Sequence, residues 1–251
     1  MAIDMEKMKS KMASLKGDGN NRKDLFWRPQ DGEQTIRIVP TSDGDPFKDY
    51  WFHYNLGTNP GFLSPKKNFG DDCPLDNFVR ELFNEGTEDS IKMAKNLMAR
   101  QRFFSPVIVR GEEDKGVRIW GYGKTAYQEL LSLVLNPDYG DITDVMEGTD
   151  IVLTYGKPPG AQFPQTTLTP RRRPSPLAKE EEKISEYLES VPEFSGLFER
   201  KTTEHVQGML DEFLLGEEDA EGNSSETRKY GKGGSTDEVT SVDAAFNELL
   251  G

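Results

Sequence analysis

Two runs rich in β-branched and aromatic residues, "RFFSPVIVRG" (102–111) and "KGVRIWGYG" (115–123), are joined by the polar turn "GEEDKG". Runs of this composition read as strands, and so short a connector makes them pair antiparallel. Any fold open to this chain has to be built around that hairpin. "TDIVLTYGK" (149–157) is a further strand. Before it lies "KTAYQELLSLVLN" (124–136), a helix expected to set Leu130, Leu131 and Val134 on one face. Upstream, "EQTIRIVPT" (33–41) alternates Ile36 and Ile38 with polar residues and ends at Pro40, and "FKDYWFHYNL" (47–56) is a second, aromatic strand. A turn-rich stretch over 57–78 leads into "NFVRELFNEGTEDSIKMAKNLMARQ", which reads as helical with a break near Gly86.

Several strands with one helix inserted before the last is the order of a small oligonucleotide-binding barrel, the OB fold. The fold class expected is therefore a mixed β-barrel plus helices, with inserted and C-terminal helices. Residues 179–215 are helical by pattern and are expected to pack back on the barrel. The chain divides into an arm (1–20), a core (21–216) and a tail (217–251). In the arm, Lys7, Lys9, Lys11 and Lys16 lie among Met5, Met8, Met12 and Leu15, which suits either a short amphipathic helix or a flexible solvated end. The tail turns to Gly, Ser, Glu, Asp and Thr, a composition unable to bury enough apolar surface to fold. Its last residues regain Val242, Phe246, Leu249 and Leu250 in an acidic frame, like a partner-docking tip on a tether.

The formal charge of −13 is unevenly spread. From Ala178 to Gly251 there are 7 Lys/Arg and 19 Asp/Glu, a net of −12, which leaves 24 against 25 for residues 1–177. The acidity belongs to the C-terminal part and does not forbid a cationic surface on the body. A single cysteine excludes an internal disulfide framework and suits a reducing compartment. No apolar run is long enough for a membrane span, and the N-terminus lacks a secretion signal, so a soluble intracellular protein is expected.

Enzyme signatures fail on inspection. "GYGKT" (121–125) suggests a phosphate loop, but Arg118 stands where that loop needs its first glycine. Two histidines, His53 and His205, leave little for acid–base or triad chemistry, and no zinc-protease or calcium-loop pattern occurs. A non-enzymatic protein is expected.

What remains is basic residues interleaved with aromatics. Unpaired bases stack on aromatic rings while Lys and Arg neutralise phosphates. Three clusters have this composition: Lys66, Lys67 and Phe69; Arg100, Arg102, Phe103 and Phe104; and Arg118, Trp120, Tyr122 and Lys124. Members of the third alternate, so on a strand they share one face. Phe103, Phe104 and Trp120 read equally as barrel core, and both readings stand. Arg171, Arg172 and Arg173, held extended by flanking prolines, are either a groove rim or a solvated connector.

The order of a Lys-rich arm, "HY", "GDDCP", "ARQRFFSPVIVR", "VRIWGYGK", a helix and an acidic tail resembles the single-stranded DNA-binding (helix-destabilising) protein family of T-even-type bacteriophages. The likeness is strongest from His53 to Pro176. It implies an OB-fold core coating single-stranded DNA in replication, recombination and repair, in the cytoplasm of an infected bacterial host. By position it puts Phe103, Phe104 and Trp120 in the DNA cleft, with Arg100 and Arg102 in the basic segment before them. Lys7, Lys9, Ser10 and Lys11 take the place of an arm motif for cooperative self-association along DNA. The acidic tail would recruit phage replication and recombination proteins. A single-stranded RNA-binding translational regulator, or a scaffold acting through its tail, are the alternatives.

The resemblance also implies a structural zinc held by one His and three Cys, from which this chain departs. Its turn reads "CPLD", with Asp76 in place of a second Cys, and "GFLSPKK" contains none. His53 and Cys73 remain as two ligands of four, a possible remnant that Asp72 or Asp76 would have to complete. No cofactor is expected; packing of Phe62, Phe69, Phe78 and Phe83 is expected to hold this region instead.

Overall fold

The computed structural model describes residues 25–59, 61–161 and 163–221. The arm motif at Lys7–Lys11 and the docking tip at 242–250 lie outside the described residues.

Eight strands form one sheet: β1 (Phe26–Trp27), β2 (Gly32–Ile38), β3 (Lys48–His53), β4 (Phe62–Leu63), β5 (Arg100–Val109), β6 (Arg118–Tyr122), β7 (Ile151–Gly156) and β8 (Gln165–Pro170). Its main path runs β1-β6-β5-β2-β7-β8, with β3 pairing β5 and β4 pairing β3. The hairpin read from the sequence is β5–β6, in register from Phe103 opposite Tyr122 to Val107 opposite Arg118. Strand β5 is the spine. Its other edge pairs first with β3, at Arg100–Phe104, and then with β2, at Val107–Val109. Pro106, which has no N–H to give to a ladder, sits between the two partners.

Two corrections concern the sheet. Among the described strands β8 pairs only with β7 and β1 only with β6, so the sheet is not a closed barrel. The inserted helix, α4 (Lys124–Val134), precedes two strands and not one, because the polar segment "QTTLTP" forms β8. On α4 the buried residues are Ala126 and Leu130, while Val134 is exposed, because in the last turn Leu133 rather than Val134 packs against the sheet's core.

Of the other helices, α1 (Pro65–Phe69) forms inside the stretch read as turns, capped by Ser64, whose Oγ accepts from Lys67 N at 3.1 Å. Helices α2 (Pro74–Glu85) and α3 (Glu88–Leu97) part at Gly86, which closes α2 in the left-handed region at φ 74°. The C-terminal stretch gives α5 (Glu181–Glu189), a 3-10 turn at Phe194–Gly196 and α6 (Thr203–Glu221). The helix thus runs through Glu221, past the expected tail boundary at Gly216, since propagation adds one hydrogen bond per residue.

Because side chains alternate along a strand, β5 serves two cores. On one face Phe103 and Val107 join Trp27, Ile36, Trp120 and Leu130. On the other, Phe104 packs with Phe26, Phe52 and Phe194, and Ile108 with Leu177 and Tyr187. Residues around α5 and the 3-10 turn therefore pack back on the sheet as expected, whereas Val206, Met209 and Leu210 of α6 pack on α2 and α3. In that helical cluster Phe62 is buried and Phe78 half-buried, but Phe69 and Phe83 are 41% and 42% exposed. The last two do not hold the region together, because they lie on the outer faces of α1 and α2.

A buried ion cluster ties the strands together. Arg37, fully buried, donates to Asp144 O at 2.6 Å and lies 3.5 Å from Asp150 Oδ1. Arg110 donates to the same carboxylate at 2.8 Å and to the carbonyls of Pro176 and Leu177 at 2.9 Å.

Candidate nucleic-acid interface

Where the sheet fails to close, there is a cleft of about 530 Å³. One wall is β1 with β6; the other is β7 with β8, and the start of α4 lies between them. Trp27, Trp120, Tyr122 and Tyr155 supply aromatic rings, and Arg28 and Arg102 supply cations. Trp27 and Trp120 meet edge-on with ring centroids 6.3 Å apart, and Trp120 leans on Tyr122 at 4.2 Å. Tyr155 is half-buried, the most accessible of the four. Arg102 Nη1 lies beside the backbone at Gly123. Thr166 and Thr167 of β8 and Glu129 of α4 add polar groups.

The residues singled out from sequence divide among several places. Arg102, Trp120 and Tyr122 line this cleft, with Lys124 exposed at the start of α4 beside it. Of the two readings of Phe103 and Phe104, barrel core and DNA cleft, the structure shows the first. They are 3% and 0% exposed and sit in different cores, because adjacent strand residues point to opposite faces. Phe103 stacks on Tyr127, with centroids 3.9 Å apart and rings 12° from parallel. Trp120 and Tyr122 are also buried, so the face they share with Arg118 is an inner face. Tyr122 OH shares a 2.7 Å hydrogen bond with Ser105, and burial pushes its pKa upward, so it stays neutral.

Arg100 is half-buried and donates to Lys95 O at 2.8 Å, joining β5 to α3 outside this cleft. Lys66, Lys67 and Phe69 form a separate exposed patch on α1. There Lys67 Nζ lies 5.4 Å from the Trp51 ring centre and Arg200 sits 4.4 Å over Phe69. Arg171, Arg172 and Arg173 are exposed, and Arg171 donates to Thr35 Oγ1 at 3.1 Å. Sequence reading missed Trp27, Arg28 and Tyr155. The stretch "LFWRP" carries the same aromatic-next-to-arginine signal as "RQRFF" and would have exposed the first two.

His53 and Cys73 are both buried, and Asp76 completes a cluster whose ligand atoms lie within 4.8 Å of one another. His53 Nδ1 donates to Leu97 O at 2.9 Å, and Nε2 faces Asp76 Oδ2 at 3.3 Å and Cys73 Sγ at 3.8 Å. Ser64 Oγ donates to the same carboxylate oxygen at 2.8 Å. Burial opposes the charge on His53, but Asp76, with Cys73 and the Leu97 carbonyl, outweighs it and raises the pKa to about 9. Burial likewise opposes charge on Asp76, yet His53 and Ser64 lower it to about 2. A closed structural zinc site takes four nitrogen, sulfur or carboxylate donors. Here there are three, His53, Cys73 and Asp76. Asp72 is exposed and bonded to Asn77 at 2.9 Å, away from the cluster. The donor set is one short of the four-ligand zinc that the resemblance implies.

No described helix is long and apolar enough to cross a membrane. No curated protein matches the chain. The family of gp32-like DNA-binding proteins matches residues 30–213, a segment that begins just after Trp27 and Arg28 and takes in β2 through most of α6. This bears out the likeness read in the order of its motifs: the chain belongs to the gp32-like family of DNA-binding proteins.

Proposed function

We propose that the protein is a non-enzymatic, sequence-independent single-stranded DNA-binding protein whose groove is the cleft between the unpaired edges of the sheet. The observation that carries this is a cleft of a gp32-like chain in which the half-buried Tyr155 meets Arg28 and Arg102 over a floor of the buried Trp27, Trp120 and Tyr122. Aromatic faces serve any unpaired base, and a duplex keeps its bases stacked away from them. Binding single strands in preference to duplex destabilises helices by mass action.

The core reads as a partly open OB barrel. Strands β2, β5, β6, β7 and β8 follow the sequence order of such a barrel, with α4 between the third and fourth. Its open seam, between the β1–β6 edge and β8, is the groove. In this reading the Lys-rich arm joins neighbouring proteins along the strand, and the protein serves phage replication, recombination and repair. The acidic residues 217–251 compete for the groove as a phosphate mimic when DNA is absent and recruit partner proteins when it is bound. The cluster at His53 works without a metal.

The test is titration of fluorescent oligo-dT at two salt concentrations, with RNA as competitor. Tight binding that weakens with salt and favours DNA supports the proposal. Absence of binding at low salt sinks it, and preference for RNA moves it to the regulator reading. Removing 217–251 should raise DNA affinity at low salt and lower affinity for protein partners.

A further inference from the structure

A second cleft, of about 640 Å³, opens on the other side of Trp27 and Arg28, which line both. Its walls come from the first half of β2 and from the β5–β6 connection, including Thr35, Glu112, Lys115 and Arg118. Arg118 alternates with Trp120 on β6 and is 7% exposed. Its Nη2 donates to Glu112 Oε2 at 2.6 Å, while its Nε has no hydrogen-bond partner among the described residues. A guanidinium has donors and no acceptor, so what it lacks is an anion or another acceptor. Lys115 Nζ lies 3.2 Å from Glu112 Oε1, so one carboxylate restrains two cations. That carboxylate is on a partly exposed side chain, able to swing away.

The surroundings are cationic as well. Arg171 reaches the rim through its hydrogen bond to Thr35. Arg110 also lines the cleft, but its guanidinium is committed to Asp150 and to the carbonyls of Pro176 and Leu177. Lys115 and Arg118, held by Glu112, are the cations a phosphate would take over, with Arg28 and Glu33 also lining the cleft.

We infer that this cleft is a phosphate subsite for the DNA strand leaving the first cleft: the backbone crosses Arg28, and its next phosphates displace Glu112 from Arg118 and Lys115. The inference rests on reading the first cleft as the single-strand groove. Phosphate fits the site because a guanidinium fork takes two of its oxygens at once, whereas a neutral base would leave both cations uncompensated. Glu112 acts as a place-holder that keeps the cations ordered until a phosphate arrives.

The experiment compares the full-length protein with Lys115→Gln, Arg118→Gln and Glu112→Gln on oligo-dT of about 4 and about 12 nucleotides, lengths spanning the usual range for one OB fold. Loss of either cation should leave the short oligomer unaffected and weaken the long one about fivefold or more, lowering the salt slope by about 0.7 per lost contact. Glu112→Gln should act oppositely and tighten the long oligomer, an effect that structural damage does not mimic. Thermal melting reports whether Arg118→Gln folds; if it does not, the exposed Lys115 and Glu112 carry the comparison. Equal effects on both lengths, or a long oligomer indifferent to Glu112→Gln, overturn the subsite while leaving the groove intact. Wild-type protein that binds neither oligomer overturns the groove reading itself.

Discussion

Phe103 and Phe104 are adjacent on β5 and belong to different cores: Phe103 stacks on Tyr127, and Phe104 is enclosed by Phe26, Tyr50 and Phe52. Fully buried and ringed by aromatics, Phe104 has a packing role. Phe104→Ala should cost about 3–5 kcal/mol of stability, from lost transfer energy and the cavity left behind. Urea unfolding measures it, and a midpoint equal to wild type would contradict the packing described.

Tyr155 separates binding from folding. It lines the groove and only its half-buried ring packs on the core, so removing it should cost less stability than Phe104→Ala. Stacking on an aromatic contributes about 1–3 kcal/mol per base, so Tyr155→Ala should weaken oligo-dT binding about 5- to 150-fold. Affinity retained in full would place the strand elsewhere.

The pair of His53 and Asp76 predicts a pH profile. His53 is raised from 6.5 to about 9, so its stabilisation is complete below 6.5 and fades as pH rises through about 9. Asp76 is lowered from 3.8 to about 2, so its share is complete above 3.8 and fades as pH falls through about 2. This one interaction is strongest between 3.8 and 6.5. Asp76→Asn should flatten the alkaline loss of stability seen in urea titrations at pH values from 6.5 to 9.

Zinc gives an independent check on the same cluster. Saturating the protein with zinc, or stripping it with a chelator, should leave the melting temperature where it was. A rise that grows with the logarithm of zinc concentration would mean that the cluster takes an ion after all.

Gly148 is needed for space. A Cβ there would overlap the guanidinium of Arg37, which has no room to retreat while bonded to Asp144 O. Gly148→Ala should cost about 1–3 kcal/mol through overpacking, seen as a lower melting temperature without loss of groove residues.

Legibility followed the length and regularity of each pattern. Strands β2, β3, β5, β6 and β7 and helix α4 were readable because alternation or apolar spacing runs through each. Strand β1 is two residues long and has no period to detect, and β8 offers one buried apolar side chain, Leu168, among polar neighbours. Residues 65–69 looked like a turn because "PKKNF" is too short to show helical spacing, although Ser64 and Gly70 cap it at both ends.

The sequence by itself determined the hairpin, the separation of acidic tail from near-neutral body, and the mixture of aromatics and cations that suits a single strand. All of these are local properties of composition and spacing. Alternation even put Arg118, Trp120 and Tyr122 on one face. Only the tertiary structure decided that this face turns inward, because α4, which follows it directly, and the β7–β8 pair, distant in sequence, fold across it. The same closure, left incomplete between the β1–β6 edge and β8, made a cleft from Trp27, Arg102 and Tyr155, three residues that no local pattern connects.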